Sequence, residues 1–131
     1  MTILLDTNAY SALAEGSSAL AASIRRAQSI AFSVVVVGEL LHGFRAGSRY
    51  EKNLRRLEDF LEQPFVELLP VTFITAERFA RVAAGLRKRG TPIPTNDIWI
   101  AAQAMESGAE LFSFDAHFGC VEGLAWTHLS H

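Results

Sequence analysis

Four acidic residues stand out because of what flanks them. Asp6 closes the apolar run Ile3-Leu4-Leu5, and Asp115 closes Leu111-Phe112-Ser113-Phe114. Asp97 follows the Pro-rich stretch Thr91-Pro92-Ile93-Pro94. Glu39 sits in an otherwise apolar segment, between Val34-Val35-Val36-Val37 and Leu40-Leu41. Carboxylates are hard oxygen ligands, so such a set suits Mg²⁺ or Mn²⁺, not zinc. Bare, the four would repel one another. A divalent ion removes that penalty, activates water and stabilises charge on a phosphoryl group. Read singly, each residue has a plainer role. Any of the three Asp can cap the helix that follows it, since Asp is favoured at helix starts. Glu39 is harder to dismiss, because an isolated buried carboxylate needs a partner or a metal. Its plainer reading is partial exposure.

The elements that must position these acids alternate between strand and helix. Thr2 to Leu5 reads as a buried strand running into a helix start at Asp6-Thr7-Asn8. An Ala-rich helix follows from Ser17-Ser18 to Gln28, then a β-prone segment from Ile30 to Val34. Val35 to Phe44 carries Leu40, Leu41 and Phe44 at helical spacing, with Gly47 as its stop. Ser48 to Glu62 is amphipathic, with Leu54, Leu57, Phe60 and Leu61 on one face. Phe65 to Leu69 is a strand, Thr75 to Arg89 a helix ending at Gly90, and Asn96 to Ser107 an apolar helix ending at Gly108. Strands at Glu110 to Phe114 and Leu124 to Thr127 complete the chain. This alternation predicts a parallel sheet covered on both faces. In such sheets, sites form beyond the carboxyl ends of the strands, where Asp6 and Asp115 fall.

A chain of 131 residues, 50 % hydrophobic and 20 % charged, fits one domain spanning 1–131 with a real core. The single cysteine, Cys120, excludes an internal disulfide and a cysteine zinc site. The longest apolar run, Val34 to Val37, is far too short to span a bilayer, and no secretory signal is visible, so a cytoplasmic protein is expected. The formal charge of −2 is unusual for a nucleic-acid binder. The basic residues are nevertheless clustered: Arg45, Arg49, Lys52, Arg55 and Arg56 in one segment, Arg78, Arg81, Arg87, Lys88 and Arg89 in another. Arg45, Arg49, Lys52 and Arg55 are candidate nucleic-acid contacts; a solvated helix face is the alternative.

Four fragments, in this order and spacing, carry a resemblance to a known family. They are Leu4-Leu5-Asp6-Thr7-Asn8, Gly38-Glu39-Leu40-Leu41-His42-Gly43, Ile93-Pro94-Thr95-Asn96-Asp97-Ile98-Trp99-Ile100-Ala101-Ala102 and Leu111-Phe112-Ser113-Phe114-Asp115-Ala116-His117-Phe118. Together they resemble the PIN-domain family, and within it the VapC toxins of bacterial toxin–antitoxin pairs. The resemblance implies a PIN-like α/β fold, a central mostly parallel sheet flanked by helices on both faces. It implies that Asp6, Glu39, Asp97 and Asp115 bind one or two Mg²⁺ or Mn²⁺ ions. Asn8 and Ser113 match positions whose polar side chains support the site, and Asn96 joins them as a neighbour able to hydrogen-bond. Ser113 stands where Thr is usual and keeps the hydroxyl. The implied activity is endoribonucleolytic cleavage of RNA by metal-activated water, with Asp97 or Asp115 orienting the water. The implied partners are a second copy of the chain, often through the early helices, and a VapB-like antitoxin, in a heterotetramer or larger. The antitoxin's C-terminal segment would lie in the acidic groove.

Other acid-based phosphoryl-transfer enzymes fit poorly. A haloacid-dehalogenase-like phosphatase wants an Asp where Asn8 stands, and it and the response-regulator receivers want a late Lys, whereas the only lysines are Lys52 and Lys88. The P-loop motif is absent. A PIN fold that binds RNA or protein without cutting is the alternative from another class. His42, His117 and His128 show no metal-ligand spacing, and His42 is expected at the surface or in packing. Tyr10, Trp99 and Trp126 are expected in the core, not as base-stacking platforms.

Overall fold

The structure, a computed structural model, describes residues 1–131. Its elements run β1 (Thr2–Leu5), α1 (Thr7–Ala14), α2 (Ser18–Arg26), β2 (Ser29–Ser33), α3 (Val34–Ala46), α4 (Tyr50–Leu61), β3 (Val66–Leu69), α5 (Phe73–Arg89), α6 (Thr95–Ser107), β4 (Glu110–Ser113), a 3-10 turn (Ala116–Cys120) and β5 (Trp126–His128). The five strands form one sheet in the order β3-β2-β1-β4-β5, and every pairing is parallel. The chain steps from β1 outward through β2 to β3, then crosses back to β4 beside β1. With this strand order, the right-handed rule for parallel crossovers assigns α1 to α4 to one face and α5 and α6 to the other. The direction of travel therefore reverses between β1 and β4, and a cleft opens at their carboxyl ends.

Each face has its own aromatic packing. Tyr10, Phe32 and Phe60 from α1, β2 and α4 meet edge to face at centroid distances of 5.3–5.4 Å. On α5 and α6, Phe79 stacks on Trp99 at 4.0 Å. The sheet strands between them are buried: Leu4, Leu5, Phe32 and Leu111 have essentially no exposure. Truncating Phe32 to Ala would cost about 3–5 kcal/mol, the range for emptying a buried aromatic site. Tyr10 is thus a core residue, as expected, and Trp99 and Trp126 are half-buried. No helix is long and apolar enough to cross a membrane.

Several boundaries differ from the sequence expectation for identifiable reasons. β2 ends at Ser33, one residue early, because the Ser33 hydroxyl accepts the Val35 N–H at 3.0 Å and opens α3. The four valines that follow turn helical despite their β preference; the cap and the packing of Val36 and Leu40 override propensity. Helix α5 begins at Phe73, not Thr75: Thr72 and Thr75 cap reciprocally, each side chain serving the other's backbone N–H. The extra turn leaves Phe73 and Ile74 exposed. Helices α5 and α6 end on Gly90 and Gly108, both at φ 70°, a left-handed conformation that favours glycine. Gln103, fully buried in the apolar α6, accepts a hydrogen bond from Ser33 and donates to the carbonyls of Leu69 (3.1 Å) and Pro70 (3.2 Å). It ties α6 to the carboxyl ends of β2 and β3.

Candidate metal centre

Asp6 is the residue after β1, and its geometry is fixed twice. Its Oδ1 accepts the Ala9 N–H at 2.9 Å, capping α1. Its Oδ2 accepts the Ser113 hydroxyl at 2.5 Å. Ser113, the last residue of β4, in turn accepts the Asp115 N–H at 2.9 Å. One buried hydroxyl thus links the two acids at the ends of the adjacent strands. Burial pushes the Asp6 carboxyl up from 3.8 to about 6; the bonds from Ser113 and Ala9 oppose the shift, and Asp115 and Asp97 add to it.

Glu39 is half-buried on α3. It accepts a 2.6 Å hydrogen bond from the Thr7 hydroxyl and a 3.3 Å bond from the Asn96 amide. Its environment is therefore polar on the side that matters, and the flanking valines do not enclose it. Asp97 lies in the first turn of α6, which begins two residues earlier, and makes no capping bond. The capping reading of Asp97 is thus corrected: Pro94 occupies the cap position. Burial raises the Asp97 carboxyl; His117 opposes this, while Glu39 and Asp115 reinforce it. Asp115 holds the cap position of the 3-10 turn, also without a side-chain bond to its backbone. Only Asp6 both caps and faces the cluster.

These side chains open on one groove lined by nine residues, none hydrophobic, including all four acids together with Asn8 and Asn96. Asn8 is exposed there, and Ser113 lies buried beneath it, donating to Asp6. A second hollow shares Glu39 and Asn96 and continues along α3 past Gly38 to His42. Exposed His42 therefore borders the groove.

Two members were not anticipated from sequence. Thr7 gives no sign of a role by its position after Asp6; its value comes from the fold, which sets α1 against α3. His117, which shows no ligand spacing with the other histidines, instead meets two of the acids. Its Nε2 stands 2.7 Å from Asp97 Oδ2, and the ligand atoms of Asp97, Asp115 and His117 lie within 4.8 Å of one another. The sequence signal was the short spacing Asp115-Ala116-His117, which a turn folds onto α6. The basic run behaves otherwise. Arg45, Arg49, Lys52 and Arg55 are exposed, and none lines the groove. Arg55 pairs with Glu51 at 3.5 Å, and Arg45 lies over the Tyr50 ring at 4.7 Å.

The PIN domain family matches residues 3–124. The chain belongs to the PIN-domain family. This PIN domain is 30 % identical over 122 residues to Ribonuclease VapC5 of Mycobacterium tuberculosis, covering 93 % of this chain and 89 % of that one. It is 29 % identical to Ribonuclease VapC1 of Haemophilus influenzae over 98 residues, 74 % of this chain and 72 % of the relative. Among solved structures, VapBC-1 from nontypeable Haemophilus influenzae superposes with a TM-score of 0.86 at 26 % identity, covering 97 % of each chain. VapBC2 from Rickettsia felis, bound to a DNA fragment from its promoter, shares the fold at the same TM-score of 0.86 and 23 % identity, over 97 % of this chain and 98 % of that one.

Proposed function

We propose that this PIN domain, residues 1–131 acting as one unit, is a divalent-metal-dependent endoribonuclease and the toxin of a toxin–antitoxin pair. The observation that carries this reading is the convergence of four carboxylates, from four separate elements, on one groove without a hydrophobic wall. The donor set fits Mg²⁺ or Mn²⁺. All four acids offer oxygen, and Asp6 and Asp97 are held above their ordinary pKa by burial and by neighbouring carboxylates, the condition a cation relieves. Asp6, Glu39, Asp97 and Asp115 would hold one or two ions. When bound, such an ion stabilises charge on the scissile phosphate and lowers the pKa of water.

The chain's own residues supply preorganisation. Ser113 and the Ala9 N–H fix both oxygens of Asp6, and Thr7 and Asn96 fix both oxygens of Glu39. No carboxylate so held has to reorganise as the phosphate's charge develops. Asp97 and Asp115, free of capping bonds, are the acids able to accept a hydrogen bond from the attacking water. Asn8 and Asn96 offer amide donors to phosphate oxygens at the rim. The two relatives compared above are named ribonucleases, and the Haemophilus influenzae neighbour is a VapBC assembly. By the same reading this chain pairs with a VapB-like antitoxin and with a second copy of itself. An acidic groove recruits a basic peptide, so an antitoxin segment carrying Arg would enter it and compete with metal and RNA.

The test is cleavage of structured RNA in Mg²⁺ or Mn²⁺. Changing any of the four acids to its amide should lower the rate by about a hundredfold or more, the scale of losing one preorganised electrostatic group. Chelation by EDTA should do the same to the wild type. Full activity in EDTA would overturn the metal reading, and binding of RNA without cleavage would favour a non-catalytic module.

A further inference from the structure

Among the groups around the groove, one has a chemistry that the carboxylates do not share. The His117 Nε2 has no water-accessible surface and stands 2.7 Å from Asp97 Oδ2, a contact that opposes the rise of the Asp97 carboxyl caused by burial. A buried polar nitrogen needs a partner, and without metal the Asp97 carboxylate serves as one. In the neutral imidazole with its proton on Nδ1, Nε2 is a lone pair. In that form no proton lies between Nε2 and the Asp97 oxygen, and a shared cation can take its place. Asp115 completes the group: one ligand atom from each of the three residues falls within a 4.8 Å span. Opposite ligands on one ion with bonds of about 2.1 Å lie about 4 Å apart, so this span is within small adjustment of a coordination sphere.

We propose that His117 is a nitrogen ligand of the metal centre, shared with Asp97 and Asp115, and that it makes this site select Mn²⁺ over Mg²⁺. The proposal rests on the metal-centre reading above and adds a donor and a preference. Mg²⁺ takes oxygen ligands in near-ideal octahedra and dehydrates reluctantly. Imidazole favours first-row transition ions, while carboxylates serve Mg²⁺ and Mn²⁺ alike. A site of acids with one imidazole therefore discriminates between two ions that an all-carboxylate site would treat nearly equally. The 3-10 turn supplies the placement. It carries the imidazole two residues beyond Asp115 and brings it against the first turn of α6.

Pulsed electron paramagnetic resonance of the Mn²⁺-loaded protein tests the ligand directly. Imidazole coordination gives ¹⁴N modulation, which oxygen ligation does not. The modulation should be present in wild type, retained in His42→Ala, which removes the other histidine bordering the groove, and lost in His117→Ala. His117→Gln keeps a polar side chain against Asp97 and should lose it too, which separates ligation from a packing defect. Calorimetric titration with each ion alone should show His117→Ala weakening Mn²⁺ binding by about tenfold or more, and Mg²⁺ binding by less than about threefold. Modulation absent from wild type, or surviving in both His117 variants, overturns the proposal, as does equal weakening for the two ions. If wild type binds Mn²⁺ through oxygen alone, the metal centre stands and only the nitrogen ligand falls. If wild type binds neither ion, both readings fall.

Discussion

Replacing Asp6 with Asn should stabilise the metal-free protein at pH 7, even though it alters a carboxylate hydrogen-bonded at both oxygens. The folded-state pKa of Asp6 is raised from 3.8 to about 6, chiefly by burial. An acid whose pKa rises on folding binds more protons in the native state than in the unfolded one between those two values. Stability therefore falls as pH climbs from about 4 to about 6 and stays reduced above that. At 1.36 kcal/mol per unit, about two units correspond to a penalty of about 3 kcal/mol at pH 7. Asn escapes this charge penalty and keeps the cap, since its carbonyl oxygen can still accept the Ala9 N–H. It loses the bond from Ser113, whose hydroxyl would face an amide donor instead, at about 1 kcal/mol.

The net gain is about 1–2 kcal/mol. With an unfolding entropy of about 2.1 cal/mol/K per residue, this raises Tm by about 4–7 °C. The assay is thermal unfolding in EDTA, followed by circular dichroism from pH 4 to pH 8, for wild type and Asp6→Asn. The difference should be largest at pH 7 and should shrink below pH 6. Below about pH 4 it should invert slightly, because only the lost Ser113 bond remains. Adding Mn²⁺ at a hundred times its Kd should give wild type about 2.7 kcal/mol and so reverse the order at pH 7. An Asp6→Asn protein that melts several degrees below wild type at pH 7 in EDTA would refute the reasoning. It would mean that Asp6 is charged and compensated within the fold, without any need for metal.

Thr7→Val removes the 2.6 Å bond to Glu39 while keeping the side-chain volume. It should lower Mn²⁺ affinity by about tenfold, the range for losing a residue that orients a ligand, with an unchanged circular dichroism spectrum. Arg45 lies two turns beyond Gly38, on the α3 face that continues the groove past His42. Arg45→Ala should therefore weaken binding of many RNAs alike and reduce the magnitude of the salt slope by about one. Arg55→Ala, with its guanidinium beside Glu51, should change neither; the reverse pattern would place the RNA along α4. Gln103→Leu should destabilise the fold by about 2–4 kcal/mol in urea unfolding, because it leaves Ser33 and two strand-end carbonyls without their partner.

The parts of this molecule legible in its sequence are those set by local pattern. The order of strands and helices followed from apolar runs and stop signals such as Gly90 and Gly108, and the α/β class followed from their alternation. Asp6 and Asp115 could be placed at one sheet edge because parallel strands end on the same side. What escaped depends on how elements meet. The reach from Thr7 to Glu39 exists only because α1 lies against α3, 32 residues apart in sequence. Gln103 in an apolar helix gives no periodic signal of the three groups it satisfies. The helical fate of Val34 to Val37 runs against their intrinsic preference and is set by the Ser33 cap. His117 was overlooked for a related reason. The histidines show no ligand spacing among themselves, whereas the turn sets His117 beside Asp115 of its own segment and Asp97 of α6.

Asp6 also shows why the structural and the chemical reading of a residue need not compete. As a cap, its Oδ1 holds the first turn of α1; as a neighbour of Ser113, its Oδ2 is anchored to β4. Each carboxylate oxygen has two acceptor sites, so one bond at each leaves both able to approach a cation. The cap is then part of what makes the acid useful, because it removes the rotation that a free side chain would lose on binding metal. The cost is visible in the raised pKa: without a cation, the same burial that orients the carboxylate disfavours its charge. At neutral pH, a fold that carries this penalty is relieved of it by binding a positive charge. For that reason the pH dependence of Asp6→Asn, measured without metal, bears on the site's function as directly as a cleavage assay does.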